Sequence, residues 1–504
     1  LSDDEARTLW DESFSQFSLL TLTGRGGIIE ISKTFYLKRI KRRRMCEMLK
    51  KKMALLLSAA LVAGAAMTGC GGGDSSGGDA AGDKELTIMA ASMRLESMID
   101  GWNQMITNFE DANEGVKVNL TMQGEWSEIP QYLAQARMAG QTIDFVRTSG
   151  GVIRSTLAPS GALMDITDTV APYADRFVEG TLDNYTVGGH LWGIPYGETT
   201  TSCVYYNKTM FDELGLQEPK TLDDLVHCAD VIKEKKGIKN AWIHQGAIVD
   251  YWQMWFEEAY GQTSGHESIA KAEDWLSGNS SFVNDETVTA FAKIRELFDR
   301  GVLTSDSLDT DDTAMKALFA QQQAAMFYGG TWEYAPTLEI VDGAFEIGVF
   351  LWPSLGEGMS AQACGAADDG FAVASNCNKD NWDLIAKFLD HMTNEESANL
   401  TLGPIQPIIP VIKTVPPVDL PCAQEMVSFM PDTIMFLDWL WPSEINNTLG
   451  NQIAGVTAGH ITPEAAAQAV QDTYEKLVRE NDYSYNWYDK WTEDQWAEVT
   501  PPAK

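Results

Sequence analysis

Basic residues, cysteine and histidine are all scarce in this chain, and each scarcity narrows its chemistry. Lys and Arg number 37 against 72 Asp and Glu, a net charge of −35 over 504 residues. Such an excess repels phosphate backbones, so no nucleic-acid partner is expected. Seven cysteines are too few for a disulfide scaffold in a chain this long. The six histidines form no His-Glu-x-x-His, and no Gly-x-Ser-x-Gly, P-loop or Gly-x-Gly-x-x-Gly signature is present. No repeat of solenoid length is visible. What the chain does have is apolar bulk, 44% of residues, and 16 tryptophans. This is too hydrophobic for wholesale disorder and enough for two or three domains of roughly 150 residues, each with its own core. An acidic, Trp-rich composition points to a soluble protein with aromatic binding surfaces.

The charge is unevenly spread. Residues 1–69 carry 12 Lys/Arg against 7 Asp/Glu, leaving 25 against 65, or −40, in the remaining 435. From Met48 the sequence runs Met-Leu-Lys-Lys-Lys-Met, then an apolar stretch from Ala54 to Ala66, then Met67-Thr68-Gly69-Cys70. A positive start, a short apolar run and small residues before a cut describe a secretory signal over 48–69. The run is short of the ~20 residues that span a bilayer. Small residues directly before Cys70 resemble a bacterial lipobox, with Met where Leu is usual, and imply lipidation of Cys70. The Gly/Ser/Asp stretch that follows, to residue 83, predicts a flexible tether roughly 20 Å long end to end. Residues 1–47, with Arg42-Arg43-Arg44 just ahead of Met45 and Met48, read as upstream sequence translated in frame.

Beyond the tether, strand-like runs at 85–90, 116–121 and 143–147 alternate with helical spacing at 99–108 and 129–139. This alternation predicts parallel α/β units. Further helices are expected at 209–214, 221–236, 285–299, 311–323, 382–394 and 463–481. Thr221 with Asp224 reads as a capping box, and Thr462-Pro463 as a cap followed by Pro in the first turn. Six prolines between 404 and 421 predict an extended connection between lobes.

Several stretches together carry a family likeness: Gly188-Gly189-His190-Leu191-Trp192-Gly193-Ile194-Pro195-Tyr196, Val204-Tyr205-Tyr206-Asn207-Lys208, Pro219-Lys220-Thr221-Leu222, Ala324 to Trp332, 381–397 and Ala458 to Glu464. In that order the chain resembles the family 1 extracellular solute-binding proteins, the maltose-binding-protein-like receptors of ABC importers. The resemblance implies a two-lobed α/β fold of the type II periplasmic-binding-protein kind, with a multi-strand hinge and a ligand cleft between the lobes. One lobe would take 84–199 plus 367–420, the other 200–366 plus 421–490, with a tail at 491–504 outside the pattern. It further implies a carbohydrate ligand captured by lobe closure, delivery to the transmembrane subunits of an ABC importer, no catalysis and no cofactor. A monomer on the outer face of a bacterial membrane is expected. A polyamine or peptide ligand, or a secreted glycan-degrading enzyme, are the alternatives.

Sugars present flat C–H faces ringed by hydroxyls, which calls for stacked aromatics with polar groups at the edges. The candidates are Trp332 and Glu333 after a Gly-Gly turn, Glu125 and Trp126 after the second strand, and Ser149 after the third. Asp368 and Asp369 at a lobe crossing could receive hydroxyls, and Tyr196 is a hinge residue or a contact. Of Trp439 and Trp441, only one can face the cleft if they lie on a helix; Trp441 is favoured. Trp252 shares a helical face with Trp255 and is either a contact or core. Asp306, Asp309, Asp311 and Asp312 lack the spacing of a calcium loop and read as a solvated helix start. The five cysteines from 203 onward permit at most two bridges.

Overall fold

The computed structural model describes residues 84–93 and 96–502; the leader, Cys70 and the tether lie outside them. Five strands form the first sheet: β1 (Lys84–Ala90), β2 (Val116–Met122), β3 (Phe145–Thr148), β4 (Ile194–Pro195) and, from much later in the chain, Gly370–Val373. The second sheet uses β5 (Ser202–Asn207), β6 (Asn240–Ile243), β7 (Ala324–Gly330) and β8 (Ile347–Phe350). A separate two-stranded sheet pairs β9 (Ala363–Gly365) and β11 (Thr433–Met435) in parallel, which leaves Gly370–Val373 as β10. The orders are β2-β1-β3-β10-β4 and β8-β5-β7-β6.

Sequence pattern explains position within each sheet. In β2, buried Val116 and Val118 alternate with exposed Lys117 and Asn119, as suits an edge strand with one face in water. Every residue of the interior strands β3, β5, β7 and β10 is buried, as is every residue of the covered edge strands β4, β6 and β8. Helix α1 (Glu96–Ala112) lays Met98, Trp102, Met105, Ile106 and Phe109 against the first sheet at helical spacing. Thr221 and Asp224 form the expected box at the start of α2 (Leu222–Lys236). Asp311 accepts from the Ala314 amide to start the helix Asp312–Ala320, and Thr462 accepts from the Ala465 amide.

The second lobe is built around α3 (Trp252–Thr263), whose residues 252–262 are all buried. Helices α4 (Ser268–Leu276), α5 (Asp285–Asp299) and α6 (Ser443–Thr457) pack on it, and α7 (Pro463–Asn481) packs on α5 and α6. Three chain crossings join the lobes. Thr200 N–H donates to Ala366 O at 2.8 Å, Thr199 N–H to Ile409 O at 2.7 Å and Asp368 N–H to Glu198 O at 3.0 Å, so the crossings are bonded to one another. The Pro-rich 404–421 stretch is one of them, though it also turns back on both lobes. Val178 N–H donates to Val411 O, while Ile408 and Cys422 join the core around Tyr334 and Ile347.

After Asn481 the chain leaves α7 and crosses to the first lobe. Trp487, Trp491 and Trp496 gather around Trp192 at ring separations of 5.4, 5.8 and 6.1 Å. Trp487 and Tyr488, in the stretch expected in the second lobe, touch Trp192 and Gly188 of the first. The cysteines at 203, 228, 364, 377 and 422 are free and buried, and no helix among the described residues is long and apolar enough to cross a membrane.

Candidate ligand cleft

The first-lobe wall of the cleft is assembled at the C-terminal ends of β2 and β3 and the start of β10. Where β3 ends, Ser149 caps a helical turn by accepting from the Val152 amide at 3.3 Å. Asp368 Oδ1 accepts from the Gly150 amide at 2.9 Å and from the Asp369 amide at 2.7 Å. Burial pushes the Asp368 carboxyl upward, against the pull of these amides and of Arg147. Asp369 has a left-handed backbone, φ +68°, which Asp tolerates better than most residues, and its carboxylate pairs with the Arg147 guanidinium. Burial, reinforced by Asp368, raises Asp369 up to about 6 despite that partner. Arg147 is itself 2% exposed, and its guanidinium carbon stands 4.7 Å from the centre of the half-buried Trp126 ring. Glu125 is exposed beside it, its amide donating to Glu128 Oε2 at 2.9 Å.

On the second lobe, aromatic rings run in a row. Trp332 lies 6.3 Å from Phe436, Phe436 6.3 Å from Trp439, and Trp439 6.0 Å edge-on from Tyr185 of the first lobe. Trp439 rests on Gly150 and Gly151. A Cβ on Gly150 would stand 2.6 Å from Tyr185 Oη, and one on Gly151 2.8 Å from Trp439 Cδ1, so only glycine admits the indole here.

Helix α3 holds the loop that carries this row. Glu257 Oε1 accepts from the Asp438 amide at 3.2 Å, and Gln253 Nε2 donates to Asp438 Oδ2 at 2.8 Å. Beside them Glu258 accepts from the hydroxyls of Ser202 and Tyr328. Burial pushes Glu258 up to about 8 and Glu257 well above the usual carboxylate range, with Asp438 adding to the latter.

The remaining candidates sit elsewhere. Trp252 is fully buried in the second-lobe core, its indole N–H donating to Gly246 O at 3.0 Å; with Trp255 it serves packing. Tyr196 is buried against Trp102, its hydroxyl donating to Met392 O at 2.7 Å, so it secures the first lobe. Glu333 is buried behind Trp332 and paired with Lys316 at 2.6 Å. Trp441 is not the member of its pair that meets the first lobe. The 437–439 segment is a 3-10 turn rather than an α-helix, and Trp441 lies 6.0 Å from Trp275 with its N–H on Asn446. Glu125, Trp126, Ser149, Trp332, Asp368 and Asp369 stay on the cleft-side segments. Sequence reasoning weighed Trp439 but favoured its neighbour, and it missed Arg147, Gly150, Gly151, Tyr185, Phe436, Gln253 and Asp438; the adjacent glycines after a strand were the available signal. No cluster of His, Cys, Asp and Glu among the described residues could hold a metal ion.

Comparison with known proteins identifies the family and the fold. The profile of the bacterial extracellular solute-binding protein family matches residues 104–426. The multiple sugar-binding protein of Streptococcus mutans is 26% identical over 230 residues, 44% of this chain and 51% of that one. The arabinooligosaccharide-binding protein of Halalkalibacterium halodurans is 35% identical over 77 residues, 15% and 17%. An ABC transporter extracellular-binding protein of Pyrococcus horikoshii is 27% identical over 142 residues, 28% and 33%. The chain therefore spans about half or less of these relatives' lengths. A chitin oligosaccharide binding protein superposes with a TM-score of 0.67 at 21% identity, covering 78% of this chain and 99% of the other. A raffinose-bound solute-binding protein gives 0.60 at 20%, covering 78% and 99%. At such identities the superpositions establish the two-lobed fold, and all of these proteins are binding proteins rather than enzymes. This chain belongs to the bacterial extracellular solute-binding protein family.

Proposed function

We propose that the protein captures a carbohydrate, an oligosaccharide in particular, between its lobes and hands it to an ABC importer without altering it. The observation that carries this reading is the row Trp332, Phe436, Trp439 and Tyr185 where the lobes meet, half-buried at Trp332 and uncovered elsewhere only as the lobes part, flanked by Asp368 and Asp438. Aromatic faces suit the C–H faces of pyranose rings, and carboxylates beside them accept the hydroxyl protons at the ring edges. Closing the lobes buries the ligand and creates a shape an importer can distinguish from the empty receptor. The names of the sugar-binding relatives support the ligand class. Titration calorimetry with purified protein against malto-, xylo-, galacto- and chito-oligosaccharides tests it: stoichiometric binding of at least one, with no product formed, is expected. Silence across the panel overturns the reading.

The same proposal places the protein outside the cell membrane, held by a lipid on Cys70. Labelling cells with a tagged fatty acid should mark the wild-type protein, and Cys70→Ser should abolish both the label and membrane retention.

A further inference from the structure

Two cations stand behind the cleft residues described above, and both are engaged by carboxylates. Lys316, behind Trp332, pairs with Glu333 at 2.6 Å and Asp312 at 2.9 Å. Arg147, against Trp126, pairs with Asp369. On the two walls beside them stand Asp368 and Asp438, whereas Glu257 and Glu258 are buried within the second lobe. A neutral sugar entering this space finds carboxylate and aromatic partners. A carboxylated sugar would be stripped of water with its charge uncompensated, which strongly disfavours binding. The balance on the first-lobe wall turns on one residue, because Arg147 has the fork geometry that grips carboxylates two bonds at a time. One arm of that fork, Nη2, is held from within the protein by Asp369, a residue 222 positions away in sequence, and Nη1 reaches Ala91 O at 3.5 Å.

We propose that Asp369 is a specificity-determining residue: by holding the Arg147 guanidinium it makes the cleft accept uncharged sugars and reject those bearing a carboxylate. This rests on the carbohydrate reading above. It assigns Asp369 a role distinct from direct ligand contact, acting through Arg147.

The test titrates purified full-length protein with neutral oligosaccharides and with oligogalacturonides, for the wild type, Asp369→Asn and Arg147→Gln/Asp369→Asn. Arg94 lies outside the described residues and is kept unchanged throughout. Asn retains the size of Asp and accepts the left-handed backbone. The wild type should bind a neutral sugar at least tenfold more tightly than any oligogalacturonide. Asp369→Asn should close that gap by about tenfold while changing neutral affinity less, and the double variant should lose the gain. A wild type that takes oligogalacturonides as well as neutral sugars overturns the inference but upholds the carbohydrate reading. A wild type that takes neither overturns the reading and the inference with it. An unchanged gap in folded Asp369→Asn, or a gain that survives in the double variant, also overturns the inference.

A second measurement needs no variant. Burial sets Asp369 near 6, so acidifying from pH 7.5 to 5 protonates it and releases the guanidinium. Asp368, Glu198, Tyr185 and Tyr196 are the other titratable groups facing this pair. Relative affinity of the wild type for oligogalacturonide should rise severalfold over that range; a flat ratio overturns the inference.

Discussion

At the residue scale, two side chains have sharply defined consequences. Glu258 is buried in the second lobe with its carboxyl pushed up to about 8, against about 4.3 for an unfolded Glu. Between those values the folded state holds a proton that the unfolded chain has released. Stability from this group is therefore complete below about pH 4 and declines as pH rises toward 8, by at most about 1.4 kcal/mol per pH unit. The melting temperature should fall between pH 6 and 8.5. Glu258→Gln, which still accepts from Ser202 and Tyr328, should flatten that fall; scanning calorimetry at stepped pH decides it. Gly150 is the second case. The Tyr185 hydroxyl and the Trp439 indole occupy the space a side chain needs, so Gly150→Ala pushes the indole off its seat. Ligand affinity should drop tenfold or more in titration, with a smaller change in melting temperature. Neither residue's role was legible in the sequence. Nothing near Glu257-Glu258 in the sequence marks them as buried, and the glycine pair, though noticeable after a strand, takes its role from a tryptophan far along the chain.

Elements divide into those whose cause is local and those whose cause is distant. The capping box at Thr221, the Asp311 cap and the Thr462-Pro463 start could all be read because each needs only residues within one turn. The first three strands were readable for the same reason, as was the amphipathic face of α1. The 436–441 segment was not. Which of Trp439 and Trp441 turns toward the first lobe depends on a 3-10 turn held by Gln253 and Glu257, 185 and 181 residues earlier. Those contacts make a prediction for the element as a whole. Gln253→Leu removes the donor to Asp438, loosens the loop and leaves α3 intact. Dissociation constants for the bound sugar should rise about three- to tenfold, roughly the 0.5–1.5 kcal/mol of one net hydrogen bond. Equal affinities for wild type and variant would show that the loop is held by other means.

For the molecule as a whole, the tail beyond α7 is the feature the family likeness did not anticipate. It begins in the second lobe, where Tyr483 packs edge-on against Tyr474 and Tyr485 donates to Glu273 at 2.8 Å. It ends in the first. There Trp496 lies 4.6 Å from His190, the Asp165 amide donates to Val499 O at 2.9 Å, and Lys379 donates to Glu498 O at 2.7 Å. Between these anchors Arg154, Gly188, Glu273, Tyr485 and Tyr488 line a gap of about 470 Å³ where the strap passes from lobe to lobe. Trp192, the strap's central partner, donates its backbone amide to Tyr185 O, and Tyr185 touches Trp439 in the cleft. Lobe opening therefore has to stretch or peel this strap as well as bend the three crossings. Each aromatic pair around Trp192 contributes about 0.5–1.5 kcal/mol beyond burial. The strap thus biases the empty protein toward contact between lobes, and a receptor biased toward its bound form binds with less conformational expense. Deleting residues 487–504 should enlarge the radius of gyration of the ligand-free protein in small-angle scattering and weaken ligand binding about three- to tenfold. Trp491→Ala/Trp496→Ala, with the backbone kept, should move both quantities the same way by a smaller amount. If scattering from the shortened protein matches the wild type both with and without ligand, the strap does not govern closure, and the three crossings alone set the geometry of the cleft.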